Sequence, residues 1–391
     1  MLYLIVLLMQ ISAIAGALSN QLQRIRAEVY LGGIQMQSSG EPVIAQAIEW
    51  LLGQDNPPVR YLTLSGLLGK SPDDPTTLQA KSRLMSYDVT QAILEHAEEF
   101  LGIDESRDYE KYTGKYWQLI FLGHFLADGN EPRIARAVQA VLSNRKWIDK
   151  RGGQCLTANL LAALSRLGYS EHAIVVSEKE ALAQSIVERR GIDCEAMGYS
   201  LISRCYMAQP KLLLCFAMTA PAKRSQTVNA AVEILVQNLL QNEVFVYVPG
   251  NHREWQKQLA AAPKKADLPK GATVKQWIAD RKETFTSEKG LGGRKTKKGW
   301  LKFGFPLRYN SDVLEALYAL ALLGVQMEPR LEKSLAAVRQ KMTSEGTWIM
   351  ENSLNGKTWA DLEQKGKPSK WLTYFGLSVL AHFADLQIPA L

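Results

Sequence analysis

Apolar residues recur at helical spacing along almost the whole chain from Ile44 onward. Strict alternation of apolar and polar residues, which is typical of a half-buried strand, is almost absent. The one segment that favours a strand is QNEVFVYV, at residues 241–248. The pattern therefore predicts a helical protein with at most a small β element.

The predicted helices repeat in pairs. In each pair, a helix that is apolar on nearly every face precedes a turn rich in Gly, Asp or Pro, and a charged amphipathic helix follows. The apolar helices begin near Trp117, Asn159, Lys211, Asp312 and Lys370, at steps of 42, 52, 101 and 58 residues. The step of 101 residues contains either a degenerate pair or one long loop.

A helix that is apolar all round is buried on most faces, whereas an amphipathic helix exposes one face to solvent. Inner apolar helices surrounded by outer amphipathic ones indicate an all-α fold, an α/α toroid built from helical hairpins. An open solenoid of similar pairs is the alternative. Two earlier helix starts, at residues 55–61 and 71–75, are marked by Asn or Asp caps with Pro in the first turn.

Composition agrees with a large globular domain. Of the 391 residues, 47% are apolar and 22% are charged, which suffices for a packed core and excludes wholesale disorder. The four cysteines are too few for a disulfide framework. We expect the toroid to occupy residues 46–391, after an N-terminal extension at residues 1–45.

Residues 1–18 are apolar except for Gln10 and Ser12. No Lys or Arg precedes this run as in a secretory signal, and 18 residues are short for a membrane span. We expect a cytoplasmic protein in which this segment is a packed helix or lies outside the domain proper. A secreted or membrane-anchored protein is the alternative.

The net charge of +7 is concentrated in one segment. Residues 251–302 contain 14 Lys or Arg and 5 Asp or Glu, so the rest of the chain is slightly acidic. We interpret residues 249–302 as a basic insertion. It is either a solvated loop or a surface that contacts phosphate groups, a membrane surface or an acidic partner. Nucleic acid is disfavoured because the aromatic residues within the segment are widely spaced.

Six segments carry a resemblance to a known family. They are WLLGQDNPPVRY (50–61), KYTGKYWQL (111–119), CLTANLL (155–161), KFGFPLRYNSDVLE (302–315), ENSLNGKTW (351–359) and KGKPSKW (365–371). Over about residues 46–385, the chain resembles the prokaryotic prenyltransferase-like or squalene-cyclase-like proteins. The resemblance implies an α/α toroid with a central cavity, as in terpene cyclases and protein prenyltransferases. It also implies an apolar ligand, isoprenoid or lipid-like.

The chain departs from the chemistry of those enzymes. It lacks the AspXAspAsp motif with which class II cyclases protonate a polyene, and it lacks the Asp-rich cluster that holds magnesium and diphosphate in class I enzymes. Whether the protein is an enzyme therefore stays open, and a transferase, lyase or hydrolase is conceivable. The candidate carboxylate pair for acid–base work is Asp312 with Glu351. A glycan-acting enzyme is disfavoured, because no such pair can be placed beside sugar-stacking aromatic residues.

Protein prenyltransferases hold zinc in the toroid, so the resemblance makes zinc a possible cofactor here. The candidate ligands are Cys155, Cys194 and Cys205, although no CysXXCys pair is present. The alternative is that these residues are buried thiols that behave as small apolar side chains.

Polar and aromatic residues gather near the starts of the apolar helices. In a closed toroid these starts converge at one mouth of the cavity, where the aromatic residues line an apolar pocket and the lysines bind a phosphate or carboxylate. The candidate ligand-binding residues are Tyr112, Lys115, Trp117, Asn159, Lys211, Phe305, Tyr309, Lys370 and Trp371. The alternative is that they cap or solvate helix ends.

The sequence thus favours a protein that binds an apolar or phosphorylated small molecule in a central cavity. A helical-repeat interaction protein, which docks a partner through the basic insertion, is the alternative function.

Overall fold

The computed structural model describes residues 40–144, 153–192, 201, 205–307, 309–384 and 386–389. Helices dominate this part of the chain, which confirms the all-α prediction. They are α1 Gly40–Leu51, α2 Pro57–Leu62, α3 Pro75–Ser82, α4 Asp88–Glu95, α5 Ala97–Leu101, α6 Lys115–His124, α7 Pro132–Asn144, α8 Gly153–Leu164, α9 Ala173–Arg189, α10 Gln209–Ala217, α11 Gln226–Leu240, α12 His252–Ala260, α13 Val274–Lys289, α14 Val313–Leu322, α15 Glu332–Arg339 and α16 Lys370–Phe383. Four short strands accompany them, β1 Tyr247–Pro249, β2 Arg294–Thr296, β3 Trp348–Ile349 and β4 Pro368–Ser369.

Both early helix starts lie where the caps predict them. The side chain of Asn56 accepts a hydrogen bond from the backbone N–H of Val59 at 3.2 Å, and Pro57 and Pro58 fill the first turn of α2. The side chain of Asp74 caps α3 by accepting from the backbone N–H groups of the first turn. Each cap satisfies donors that an uncapped helix would leave free.

The five helices predicted to be apolar on all faces are α6, α8, α10, α14 and α16. Most residues of each are buried. Consecutive members of the series pack together, α6 on α8, α8 on α10, α10 on α14 and α14 on α16. The amphipathic helices α7, α9, α11 and α15 each pack against a member of this series. The predicted division into apolar and amphipathic helices is therefore confirmed in the described residues.

Aromatic side chains connect the first and last helices of the series. The ring centroid of Phe125, the C-cap residue that follows α6, lies 6.0 Å from that of Trp371 in α16. The ring of Phe305, from the segment before α14, stacks on Trp371 at 4.2 Å. Helix α16 also packs against α1 and α2. These contacts place α6 and α16 on either side of one aromatic cluster.

The basic insertion contains two helices and two short strands, so it is not one long loop. Strands β1 and β2 pair antiparallel, with Tyr247 opposite Thr296, and α12 and α13 lie between them in the chain. Trp255, Ile278 and Phe285 form a small apolar cluster of their own, together with Leu201. Strand β1 overlaps the segment that the sequence predicts to be extended.

Among the described residues, no helix is long and apolar enough to cross a membrane. Residues 1–18, on which the alternatives for localisation depend, lie outside that part of the chain.

Candidate ligand-binding cavity

A cavity of about 280 Å³ lies among the apolar helices. Residues of α14 and α16, the ends of α6 and α10, the turn after α8 and the segment 304–307 line it. Most of its wall is leucine and aromatic carbon. Six polar side chains interrupt that wall, namely His124, Arg166, Asp312, Glu315, Tyr318 and Tyr374.

One wall of the cavity is aromatic. Phe305 stacks on Trp371 with an interplanar angle of 21°, and the ring of Phe375 lies 5.6 Å from that of Phe305. Trp371 and Phe375 share a face of α16 because they are four residues apart. Both Phe305 and Trp371 are among the residues that the sequence predicts to bind the ligand.

Asp312 is the N-cap of α14 and lines the cavity. Its carboxylate accepts hydrogen bonds from the backbone N–H of Glu315 at 2.8 Å and from that of Gly304 at 3.1 Å. Burial, with a smaller effect from the nearby Glu315 carboxylate, raises the pKa of Asp312 to about 7. The backbone hydrogen bonds and Lys211 oppose this shift. A protonated side chain is therefore substantially populated at neutral pH.

Lys211 is committed to a neighbouring carboxylate. Its Nζ forms an ion pair with Oε1 of Glu315 and lies 3.5 Å from the carbonyl oxygen of Leu307. Only 1% of the Lys211 side chain is exposed, and it does not reach the cavity wall. This pair ties the start of α10 to the first turn of α14, and it offsets the charge of Glu315 inside the cavity.

Arg166 enters the cavity from a π-helical turn, Ser165–Tyr169, that follows α8. Gly168 adopts a φ of +97° within this turn, a conformation that glycine tolerates best. The guanidinium makes no hydrogen bond or ion pair with a described residue, and the half-buried side chain lines the cavity. Burial lowers the pKa of Arg166, while Tyr318 and Glu315 partly oppose that shift. An arginine nevertheless stays protonated at neutral pH.

His124, the last residue of α6, lines the same cavity. Its ring packs edge-to-face with that of Phe305, and the two ring centroids are 5.4 Å apart. It makes no hydrogen bond within the described residues. Burial holds the pKa of His124 well below its usual range, and the charges of Arg166 and Lys211 add to this effect. A neutral imidazole can accept a proton and a protonated carboxyl group can donate one, so His124 and Asp312 give the cavity acid–base groups.

Three of the predicted ligand-binding aromatics form a separate cluster. The ring of Trp117 lies 5.3 Å from that of Tyr112 and 5.2 Å from that of Tyr309. The hydroxyl group of Tyr309 is hydrogen bonded to that of Tyr109. These residues do not line the cavity.

Two predicted lysines and Asn159 also lie away from the cavity wall. Lys115 forms an ion pair with Asp108 at 2.9 Å, and both side chains are almost fully buried. Lys370 forms an ion pair with Asp55. Asn159 is buried in α8. The two lysines thus connect elements at the starts of α6 and α16.

Asp312 and Glu351 do not face each other across the cavity. Glu351 forms an ion pair with Lys341 at 2.6 Å and accepts the backbone N–H of Phe303 at 2.9 Å. Asp312 accepts the next backbone N–H along the chain, that of Gly304. The two carboxylates therefore hold one short segment from two sides, and only Asp312 reaches the cavity.

Cys155 and Cys205 are buried, and neither forms a disulfide bond with a described residue. No group of three or more His, Cys, Asp or Glu side chains in the described residues is arranged to hold a metal ion. Cys194 lies outside the described residues. The zinc prediction therefore finds no support in the part of the chain that the structure describes.

Sequence reasoning missed five of the six polar groups in the cavity, namely His124, Arg166, Glu315, Tyr318 and Tyr374. A signal was available for two of them, because His124 and Arg166 follow directly after long apolar helical runs. A polar residue at that point either caps the helix in solvent or enters an internal space.

Comparisons with protein-family models, with curated proteins and with solved structures gave no match. The likeness to prenyltransferase-like and squalene-cyclase-like proteins therefore rests on the sequence segments alone.

Proposed function

We propose that this protein binds a small, mainly apolar molecule in the cavity between its apolar helices. The observation that carries the proposal is the space of about 280 Å³ with leucine and aromatic walls. Ligand sites are commonly concave and apolar, with a few polar groups that fix the orientation of the ligand. The side-chain composition of this cavity fits that description.

The proposed architecture is an α/α toroid of the prenyltransferase and squalene-cyclase type. Two observations support it. Consecutive apolar helices pack on one another from α6 to α16. Phe125 and Trp371 bring the ends of that series into contact. In such a ring the cavity is the central space.

The volume limits the size of the ligand. About nine molecules of liquid water occupy the same volume. We therefore expect the cavity to hold a chain of on the order of ten carbon atoms. We therefore propose a medium-length lipid-like or short isoprenoid molecule.

Binding of 1-decanol, measured by isothermal titration calorimetry and by thermal shift, tests this function. Leu214 lines the cavity from α10, so Leu214→Trp should fill the space and abolish binding. Leu78 is 49% exposed in α3, so Leu78→Trp is the matched control and should bind like the native protein.

Met218→Phe is a milder second variant, in case Leu214→Trp does not fold. It should weaken decanol binding, since Met218 also lines the cavity. The proposal is wrong if the native protein binds no decanol, or if both cavity variants bind it unchanged.

Docking of an acidic partner or membrane surface on the basic insertion stays a prediction. The ribbon that ends the insertion carries Arg294 and Lys295 on β2, both exposed, with Lys298 just beyond it. Arg294 donates a hydrogen bond to Asn242 and lies over the ring of Tyr247, so an acidic surface would meet the two lysines first. The proposed cavity function does not depend on these side chains.

A further inference from the structure

Arg166 is an unusual group in a mainly apolar cavity. It lines the cavity without an ion pair or hydrogen bond to any described side chain or backbone group. A half-buried cation that lacks a partner loses part of its hydration without gaining a counter-ion, and this loss costs free energy. A bound anion would supply both.

The other charges near the cavity balance one another. Lys211 neutralises Glu315 through their ion pair. Asp312 is substantially protonated at neutral pH because burial raises its pKa to about 7. His124 is neutral because burial lowers its pKa. Asp312 is about half ionised at pH 7, so the sum lies between zero and one positive charge, and Arg166 is the cation of the cavity that lacks a counter-ion among the described residues.

We propose that the ligand of this cavity is an apolar chain that carries a single carboxylate, and that Arg166 binds the carboxylate. This inference rests on the proposed function and names the chemical class of the ligand. The planar guanidinium presents paired donors that match the two oxygens of a carboxylate. The leucine and aromatic walls accommodate the chain.

The charge balance of the cavity also disfavours a diphosphate head group. A diphosphate brings two or more negative charges, and only one cation of the cavity lacks a described counter-ion. Lys211 would have to leave Glu315 to offer a second cation, and the Glu315 carboxylate would then lack a counter-ion. A phosphate monoester, with a charge of about −1.5 to −2 at neutral pH, would also leave charge uncompensated.

The experiment compares two ligands of equal chain length, decanoate and 1-decanol, by calorimetry at pH 6.5, where Asp312 is mostly protonated. The native protein should bind decanoate about ten- to a hundredfold more tightly than decanol, as expected for a charge-assisted hydrogen bond in a mainly apolar cavity. Arg166→Gln should abolish this preference, so that decanoate and decanol bind with about equal affinity. The affinity for decanol should differ from that of the native protein by less than about threefold. Arg166→Lys, which keeps the charge but not the paired donors, should retain part of the preference.

Arg281→Gln is the matched control, because Arg281 is exposed in α13 and far from the cavity lining. It should leave the preference for decanoate unchanged. Decyl phosphate should bind the native protein more weakly than decanoate does.

The outcomes separate the two proposals. Equal affinity for decanol and decanoate would overturn the carboxylate inference and leave the apolar cavity function intact. A preference that survives Arg166→Gln would assign the carboxylate to another group and overturn the role of Arg166. Tighter binding of decyl phosphate than of decanoate would overturn the choice of head group. If neither decanol nor decanoate binds, the proposed function itself fails.

Discussion

At the scale of single residues, burial sets the charge state of each group in the cavity. Asp312 has an ordinary cap role, which a sequence pattern can predict from its place before an apolar helix. Its raised pKa depends on the enclosed cavity and on Glu315, and those neighbours are known only from the fold. The cap is thus predictable, and the altered titration is not.

The pKa of Asp312 makes stability depend on pH. The folded value is about 7 and the unfolded value is near 3.8. Between these values the unfolded state releases the proton and the folded state keeps it, so stability falls as pH rises. The slope should approach about 1.4 kcal/mol per pH unit near pH 5 to 6 and flatten above about pH 8.

Asp312→Asn replaces the titrating carboxyl group with an amide, which carries no ionisable proton. Urea unfolding at several pH values should show that the stability of the native protein, relative to the variant, decreases from pH 5 to pH 7. Parallel curves for the two proteins would show that Asp312 titrates normally.

The lone cation should cost stability in the absence of ligand. Arg166→Met replaces it with an apolar side chain, so the free energy of unfolding should rise by about 1–4 kcal/mol. Arg281→Met at an exposed site should change it by less than about 0.5 kcal/mol. Denaturant unfolding of the ligand-free proteins measures both. A clear loss of stability in Arg166→Met would indicate that a partner already holds the guanidinium.

At the scale of elements, periodicity predicts the helices well because most residues of each apolar helix are buried. The predicted runs beginning near Trp117 and Lys370 correspond to α6 and α16 within two residues at the start. The insertion was harder to predict. Helix α13 buries only Ile278 and Phe285 along its 16 residues, so the chain carries little apolar periodicity there.

The packing of α6 on α8 is unusually close and depends on a glycine. A Cβ atom at Gly123 would lie 2.7 Å from the Cα atom of Ala163, which is too close for either backbone to accommodate without moving. Gly123→Ala should therefore lower the free energy of unfolding by about 1–3 kcal/mol. Chemical denaturation measures this change.

Gly299→Ala is the matched control, since nothing lies within 4 Å of a Cβ atom placed there. It should change stability by less than about 0.5 kcal/mol. An equal effect at the two positions would argue that α6 and α8 do not approach as closely as described.

At the scale of the whole molecule, the sequence predicts that polar groups gather at the starts of the apolar helices. The cavity instead uses the starts of α14 and α16 together with the ends of α6 and α8. His124 and Arg166 lie at those ends. Helical periodicity shows which faces are buried, but it carries no information about where along a bundle space remains. That depends on how side chains from distant segments fill the centre.

We expect ligand binding in the cavity to be independent of the basic insertion. Pro249 and Arg294 are cross-strand partners, so an Asn-Gly turn can replace residues 250–293 and close a hairpin. Leu201→Ser in the same variant avoids an exposed leucine where the insertion's apolar cluster was. The shortened protein should fold and bind decanol with unchanged affinity, as measured by calorimetry. Loss of binding would show that the insertion supports the cavity.

The most direct test of the central claim is the anomalous diffraction of crystals grown with 10-bromodecanoate. We expect a bromine peak inside the cavity, beside the aromatic wall or the leucines. We also expect the carboxylate to lie within hydrogen-bond distance of the Arg166 guanidinium. A cavity without bromine, at a ligand concentration that saturates the protein in solution, would contradict the proposed site. A bromodecanoate chain in the cavity with its carboxylate away from Arg166 would contradict the assigned recognition.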